Sequence, residues 1–453
     1  MLPDFDPDAL AVCQKLRSLG FEAYLVGGAV RDSFLARPVK DLDIATNARP
    51  EKVLRAFPHA IPTGLQHGTV TVVRNEKQFE VTTYRRDGKY TDGRHPDEVS
   101  FSDTLVEDLE RRDFTINALA YDPFTHELVD MHGGVQDLHA GVLRAIGEPQ
   151  ERFAEDALRM LRACRFASQL GFEIEEKTFS AIKTLKDNLK KISAERVRDE
   201  LVKIIASPKP SIGLEAARTS GLLAIFMPEL QNCYGVSQNT FHKYDVYYHI
   251  LHVVDAFEDV QVSDYRLRLS GLFHDIAKPQ TKRQVSAKEE PVFYNHEVIG
   301  AQVASRVMRR LKFSNEDIET VTHLVRHHMF HYTPEWTKGA IRRFIRNVGE
   351  DFIQPLFKLR EADRKGNGKR DITCEELEIF KEKIKEVFSE ESAFQIKDLR
   401  INGTQLMEKF ALRPGPVIGK TLNYLLEKVL DEPELNREEK LMALAEVFVK
   451  ENV

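Results

Sequence analysis

The chain has 453 residues, 42% of them hydrophobic and 30% charged, and a formal net charge of −6. That length exceeds one ordinary core and suggests two to four domains of the usual ~100–200 residues. The composition excludes a disordered or fibrous chain, and no apolar run reaches the ~18 residues that a membrane span requires.

In chain order, the first third reads as mixed α/β. A helix is predicted over 7–19 and a strand over 23–26, followed by a Gly-Gly turn and a second helix. Further strands are predicted at 39–44, 68–73, 78–83 and 118–121 from their β-branched or alternating residues. The polar, Gly-containing stretch 84–101 reads as a long functional loop. From about Gly147 apolar residues recur at helical spacing, at 153–170 and again at 194–205, and strands become scarce. Pro-containing stretches at 207–210 and 413–416 mark joints between helical modules. The fold class is therefore α+β.

The first residues are acidic and lack a basic start followed by an apolar run, so no secretory signal is expected and the predicted location is cytoplasmic. Cys13, Cys164, Cys233 and Cys374 form no C-x-x-C pair, which argues against a zinc site or a disulfide framework. Between Ser305 and Arg346 nine Lys/Arg stand against four Asp/Glu. This stretch is either a local surface for a polyanion or a solvated helix face.

The string LVGGAVRDSFLARPVKDLDIAT, from Leu25 to Thr46, concentrates the chemistry. Gly27 and Gly28 let backbone N–H groups approach a triphosphate where a helix begins, and Arg31 adds positive charge. Asp41 and Asp43, two apart on a predicted strand, send both carboxylates to one face, where they can share two divalent ions. Mg2+ prefers such oxygen ligands. Glu80 is a third carboxylate or orienting group, or else an ordinary strand-surface residue. Downstream, Glu155, Asp156 and Arg159 have the i, i+3 and i, i+4 spacings that let them meet along one side of a helix. They form either an intrahelical salt bridge or a base reader. A carboxylate accepting from an exocyclic amino group, beside an Arg donating to ring acceptors, selects cytosine and adenine over guanine and uracil.

These residues carry a family likeness. The Leu25–Thr46 string resembles the signature of the nucleotidyltransferase branch that holds bacterial CCA-adding enzymes and poly(A) polymerases. The likeness continues through ERRDFTINAL from Glu110, the segment 133–152, EDALR from Glu155, and SAERVRDE from Ser193. It implies that Arg112, Asp113 and Asn117 contact ribose and triphosphate, and that Arg152 belongs to the nucleotide site. It also implies that Asp156 and Arg159 read the base while Glu155 holds Arg159. Asp113 suits a 2′-hydroxyl acceptor, or else a helix N-cap. Ser193 is expected to cap a bracing helix whose Arg196 or Arg198 faces the nucleotide helix.

In the second half, His249, His274-Asp275, His296, His327 or His328, and Asp363 form an ordered H…HD…H…H…D series, with His327 taken as the fourth imidazole. GLFHDIAKP and LREAD within it resemble the HD-domain phosphohydrolase motif. Such donors hold Mn2+, Ni2+ or another transition metal and activate water against a phosphoester.

The resemblance implies a mixed-sheet head at 1–148 and an all-α remainder. That remainder comprises a base-recognising neck at 149–210, a body with the HD domain at 211–380 and a tRNA-binding tail at 381–453. The implied activity is template-independent addition of C, C and A to tRNA from CTP and ATP, with two Mg2+, by a monomer or homodimer without a membrane partner. A-only addition, poly(A) synthesis, and an HD phosphohydrolase with a degenerate head are the alternatives. The intact Gly27, Gly28, Asp41, Asp43, Asp156 and Arg159 argue against the last, and the HD series argues against poly(A) synthesis.

Overall fold

The structure is a computed structural model and describes residues 5–39, 41–87, 99–240, 242–257, 265–283, 290–368, 375–390 and 394–452. The chain divides into two compact units. The first takes in the chain to Tyr234 and the segment Val307–Phe313; the second takes in most of the chain from Gly235 onward.

Among the described residues, nine strands lie between Tyr24 and Asp130: β1 Tyr24–Val26, β2 Asp43–Thr46, β3 Ala60–Gly64, β4 Thr69–Arg74, β5 Lys77–Thr83, β6 Arg85–Asp87, β7 Val99–Phe101, β8 Leu119–Tyr121 and β9 Leu128–Asp130. Seven of them form one sheet in the order β3-β4-β5-β2-β1-β8-β9. Only β2 and β5 run parallel, with Asp43 opposite Glu80; the other neighbours are antiparallel. Helix Gly28–Phe34 packs on β1 and β8, and helix Pro50–Ala56 on β3, β4 and β5. Val26, Ala45, Ala118 and Ala120 bury against Leu105 and Leu109 of helix Leu105–Glu110.

Three expectations change. The strand predicted at 39–44 begins at Asp43, because its antiparallel partner β1 ends where Val26 pairs with Asp43. Beyond Val26 the chain turns away at Gly27 (φ 69°), leaving residues before Asp43 nothing to pair with on that side. The loop predicted at 84–101 has structured ends, since β6 pairs antiparallel with β7; its residues 88–98 lie outside the described residues. The helix predicted at 153–170 is two, Pro149–Glu155 and Leu158–Leu170. Strands β3 and β9 were not anticipated.

Contacts cross the boundary expected at 148/149. Strand Val142–Leu143 pairs in parallel with Glu173–Ile174, and Arg144 bridges Asp137 at 3.1 Å and Glu175 at 3.0 Å. The predicted head and neck therefore lie in one unit. Pro210 and Pro416 do mark joints, each standing at the start of a helix, Pro210–Ser220 and Pro416–Asp431, where its missing N–H costs nothing. The expected helix at 194–205 is present as Ala194–Ile205.

Among its described residues, the second unit is helical apart from the strand pair Lys282–Arg283 and Val292–Phe293. Helices Val246–Asp255 and Glu350–Gly366 pack on each other so closely at Gly366 that a Cβ there would stand 2.9 Å from the Val253 nitrogen. Near the C-terminus, Leu406, Leu425, Val429 and Leu441 join three further helices in a separate apolar cluster. Among the described residues no helix is long and apolar enough to cross a membrane.

Gly366→Ala should destabilise the second unit by about 1–3 kcal/mol, the usual cost of forcing atoms into a packed core. Chemical unfolding of the variant beside the wild-type chain measures it. An unchanged midpoint would mean that the two helices separate freely at this point.

Candidate functional site

A cavity of about 660 Å³ in the first unit gathers most of the residues singled out from the sequence. One end is made by sheet and turn. Strand alternation buries Phe79, Val81 and Thr83 of β5 and turns Glu80 and Thr82 toward the cavity, beside Asp43 on the parallel neighbour β2. Gly27 closes the same end. Its left-handed φ of 69° suits glycine, and a Cβ there would stand 2.8 Å from the Arg112 guanidinium.

Burial pushes the Asp43 carboxyl up to about 6, reinforced by the charges of Glu80 and Asp41 and opposed by Arg112. Carboxylates that raise one another's pKa in this way fit a divalent cation, whose charge reverses the penalty. Asp41 departs from the expectation that both aspartates leave one sheet face. It precedes β2, is exposed, and lines a different cavity with Phe5, Ser33, Arg37 and Phe79. Its charge still reaches Asp43.

Cations dominate the rest of the lining. Arg31, Arg111, Arg112, Arg159, Arg162, Arg165, Arg196 and Lys203 face the cavity against only four acids, Asp43, Glu80, Asp113 and Asp156. Each Arg of the predicted set is held. Arg31 donates to Asp32 (2.8 Å) and to the Asn117 side chain (2.7 Å). Arg112 donates to Asp108 (3.1 Å) and to the Asn117 carbonyl (3.2 Å). Asp113 is buried and fully engaged, accepting from Phe114 N (2.9 Å), Asn117 Nδ2 (2.9 Å) and Arg162 Nε (2.7 Å). Burial works against its charge, but Arg162 and Asn117 hold its carboxyl down at about 2. It caps no helix through its side chain: the short 3-10 helix Thr115–Asn117 has Phe114 as its N-cap.

The Glu155-Asp156-x-x-Arg159 string is broken where a continuous helix was expected. Asp156 Oδ1 accepts from Leu158 N (3.0 Å), the short-range side-chain-to-backbone bond by which Asp competes with helix. Its backbone is extended there (φ −138°, ψ 105°), and a new helix starts at Leu158. Asp156 therefore does not join Arg159 along one helix side; its Oδ2 pairs with Arg196 at 2.7 Å. Glu155 does accept from Arg159, and it also accepts from Arg152 at 3.1 Å. Arg152 and Glu155 stand beside the cavity without lining it. Of the two candidate braces, Arg196 meets Asp156, whereas Arg198 pairs with Asp199 and the Lys312 carbonyl. Ser193 occupies the N-cap position but makes no side-chain cap bond. The sequence reading missed Arg162 and Arg165. Their signal was present: Arg159, Arg162 and Arg165 recur every third residue, which puts them on one side of a helix.

In the second unit His249, His274, Asp275, His296, His328 and Asp363 converge. The fourth imidazole is His328, not His327. The helix Asn315–His327 ends there, and His328, 2% exposed, turns inward with its Nδ1 2.7 Å from the Val325 carbonyl. His327 instead packs against His323, the two rings tilted at 43° with centroids 4.5 Å apart. Burial would strip the proton from His274, but Asp275 and Asp363 beside it hold its pKa above the usual imidazole range. A cavity of about 380 Å³ opens on this cluster, lined also by Lys278, Arg360, Tyr294 and His242, none of which was anticipated.

The basic stretch after Ser305 reads differently in the structure. Arg310 pairs with Glu229, Arg342 with Glu390, and Arg343 and Arg346 with Glu427, so much of its charge is neutralised locally. Cys13, Cys164 and Cys233 are buried and form no disulfide with one another; Cys374 lies outside the described residues.

Known proteins bear on this arrangement. Residues 23–144 match the family described as Poly A polymerase head domain, 171–234 that described as Probable RNA and SrmB-binding site of polymerase A, and 293–445 that described as tRNA nucleotidyltransferase domain 2. The first unit is thus of the nucleotidyltransferase class. The chain is 32% identical over 451 residues to a CCA-adding enzyme of Streptococcus thermophilus, covering 99% of this chain and 98% of that one. With the CCA-adding enzyme of Enterococcus faecalis it shares 33% over 444 residues, covering 98% and 96%. The chain belongs to the family of CCA-adding enzymes. A crystal structure of the Bacillus stearothermophilus CCA-adding enzyme in complex with CTP is similar along 99% of both chains, with a TM-score of 0.74 and 27% identity.

The raised pKa of Asp43 has a signed consequence. The folded chain favours the protonated carboxyl, so ionisation costs stability as pH rises from the ordinary 3.8 to about 6, and the cost is complete above that. Without added metal, Asp43→Asn should therefore raise the melting temperature at pH 8 and leave it unchanged at pH 3. Equal shifts at both pH values, read by scanning calorimetry, would show that Asp43 carries no such strain.

Proposed function

We propose that this member of the CCA-adding family transfers nucleotides from CTP and ATP to the 3′ end of tRNA in the first-unit cavity. The observation that carries the assignment is that Asp43, Gly27, Gly28, Asp156 and Arg159 all line that single space. Family membership disfavours poly(A) synthesis, A-only addition and an idle head as readings of the whole chain.

The family uses a divalent metal, and Asp43 and Glu80 are the carboxylates in the cavity that would hold Mg2+; Asp41, which faces the neighbouring cavity in this structure, would have to turn inward to share two ions with them. When bound, such ions lower the pKa of an attacking 3′-hydroxyl and neutralise the leaving pyrophosphate. The remaining work falls to the chain itself. Gly27 admits backbone close to the phosphates, and Arg31, Arg112, Arg162 and Arg165 supply a preorganised positive lining for their charge. Asp113 and Asn117 orient two of these guanidiniums, Arg162 through Asp113 and Arg31 through Asn117. Of the five Arg159 N–H groups, three are taken by Arg111 O, Arg152 O and Glu155, leaving two for a base. Asp156, steadied by Arg196, retains acceptor capacity for an exocyclic amino group. Cytosine and adenine both carry that group. The proposed setting is the cytoplasm.

Extension of tRNA transcripts lacking CCA, CA or A, with each NTP supplied singly, tests the assignment. Asp43→Ala should lose incorporation while retaining tRNA binding; activity within tenfold of wild type, about 1.4 kcal/mol, would remove Asp43 from the chemistry. Arg159→Ala should admit UTP or GTP, or use CTP and ATP unequally.

A second activity is favoured by the convergence of six imidazole and carboxylate donors in the second unit. There the donors would hold Mn2+, Ni2+ or another transition metal, which activates water against a phosphomonoester or a 2′,3′-cyclic phosphate. Asp275→Ala should abolish such hydrolysis and spare CCA addition, because the two sites belong to different units. Hydrolysis that survives in the variant would assign it elsewhere.

A further inference from the structure

We infer that Phe166 is a positioning residue of the first-unit cavity: its ring gathers the guanidiniums of Arg31, Arg162 and Arg165 and presents them to the phosphates of a bound nucleotide. This rests on the nucleotide reading of that cavity and adds the side chain that arranges its positive lining. The guanidinium carbons of Arg165, Arg31 and Arg162 stand over the Phe166 ring, 4.2, 5.3 and 5.5 Å from its centroid. All four side chains line the cavity. The ring is itself held. Phe166 is 6% exposed, and Phe114 packs against it with centroids 5.7 Å apart and ring planes at 79°. Arg162, Arg165 and Phe166 share the helix Leu158–Leu170, whereas Arg31 comes from the helix Gly28–Phe34, so the ring joins arginines of two helices.

An aromatic face suits this place better than another acid would. Each arginine already has a carboxylate: Asp32 for Arg31, Asp113 for Arg162 and Glu200 for Arg165. Those acids do not remove the repulsion among the cations. Burial above all, then the charges of Arg162 and Arg31, pull the Arg165 guanidinium down to about 10, with Glu200 and Asp113 opposing. A further carboxylate among the three would relieve that repulsion, but it would also repel a triphosphate and cancel the lining that attracts it. The ring quadrupole draws cations to its face while carrying no net charge, so the full positive charge stays available to phosphate. Arg165 shows where the carboxylates fall short. Its Nε is buried and has no hydrogen-bond partner among the described residues, and its guanidinium is the nearest of the three to the ring. One cation over a ring is worth roughly two- to fivefold in an equilibrium, and more when desolvated, so losing the ring under three should weaken triphosphate binding about tenfold.

The test places phenylalanine bearing one, two or three ring fluorines at position 166 of the full chain, which keeps the shape of the side chain and weakens its negative face stepwise. Calorimetric titration with CTP and with ATP, each with Mg2+, should show the dissociation constant rising about twofold with each fluorine. In tRNA extension KM for the two nucleotides should rise in parallel, because they carry the same triphosphate, and the choice between CTP and ATP should not change. Phe166→Leu should show the full loss of about tenfold. The fluorinated series decides the matter even if that variant folds poorly. Equal affinity along the series overturns the inference and leaves Phe166 as packing alone. A loss confined to one nucleotide also overturns it, since the ring would then act on the base. A wild-type chain that binds neither CTP nor ATP overturns the nucleotide reading of the cavity, and the inference with it.

Discussion

Eight cations around one cavity repel each other, and the first unit exists in its present form because each has a carboxylate at its back. Arg31 leans on Asp32, Arg111 and Arg112 share Asp108, Arg159 rests on Glu155, and Arg162 on Asp113. Arg165 and Lys203 share Glu200, and Arg196 holds Asp156. A buried charge without a partner costs several kcal/mol, so removing any of these acids frees a guanidinium that the fold cannot easily keep. The pairs do more than balance charge. They fix five-donor forks in direction, and they tie the sheet, the helix Leu158–Leu170 and the helix Ala194–Ile205 into one frame.

That dependence explains what was legible in the sequence and what was not. Gly27, Gly28, Asp43 and the Asp156–Arg159 string could be read because residue type and spacing alone specify their chemistry. The partners could not. Arg196 meets Asp156 and Arg162 meets Asp113 across 40 and 49 positions of chain, and no local period encodes such meetings. The break at Asp156 was invisible for a subtler reason. The apolar residues on either side keep helical spacing, so periodicity runs through the point where one side-chain-to-backbone bond diverts the chain. The same holds at Asp41, where alternation of apolar residues continued the strand past the end of its partner β1. Strand β3 escaped because its sequence, AIPTG, carries the Pro and Gly of a turn.

In the second unit the order of the clustered histidines and aspartates was readable, but the choice between His327 and His328 was not. Adjacent residues on a helix point about 100° apart, and the choice depends on where the helix stops. It stops at His327, which lets His328 turn into the cluster and bond its own helix through the Val325 carbonyl. Gly366 plays a quieter part. By omitting a side chain against Val253 it brings the helix bearing Asp363 against the helix bearing His249, and the two donors stand 3.2 Å apart.

The first-unit cavity is lined by charges of both signs, and their opposition itself constrains what fits there. Asp43 and Glu80 repel an approaching phosphate, while the guanidiniums attract it. A triphosphate alone would be drawn to the arginines but repelled by the carboxylates that the proposed chemistry requires. A divalent cation on Asp43 would reverse the sign there and let the same anion meet both sets of side chains. The raised pKa of Asp43 is the signature of this unfinished balance. Its carboxyl is disfavoured as an anion by burial and by its acidic neighbours, and Arg112 offsets only part of that. Protonation, a cation, or a cation with its nucleotide can each complete the balance, and only the last satisfies the arginines as well.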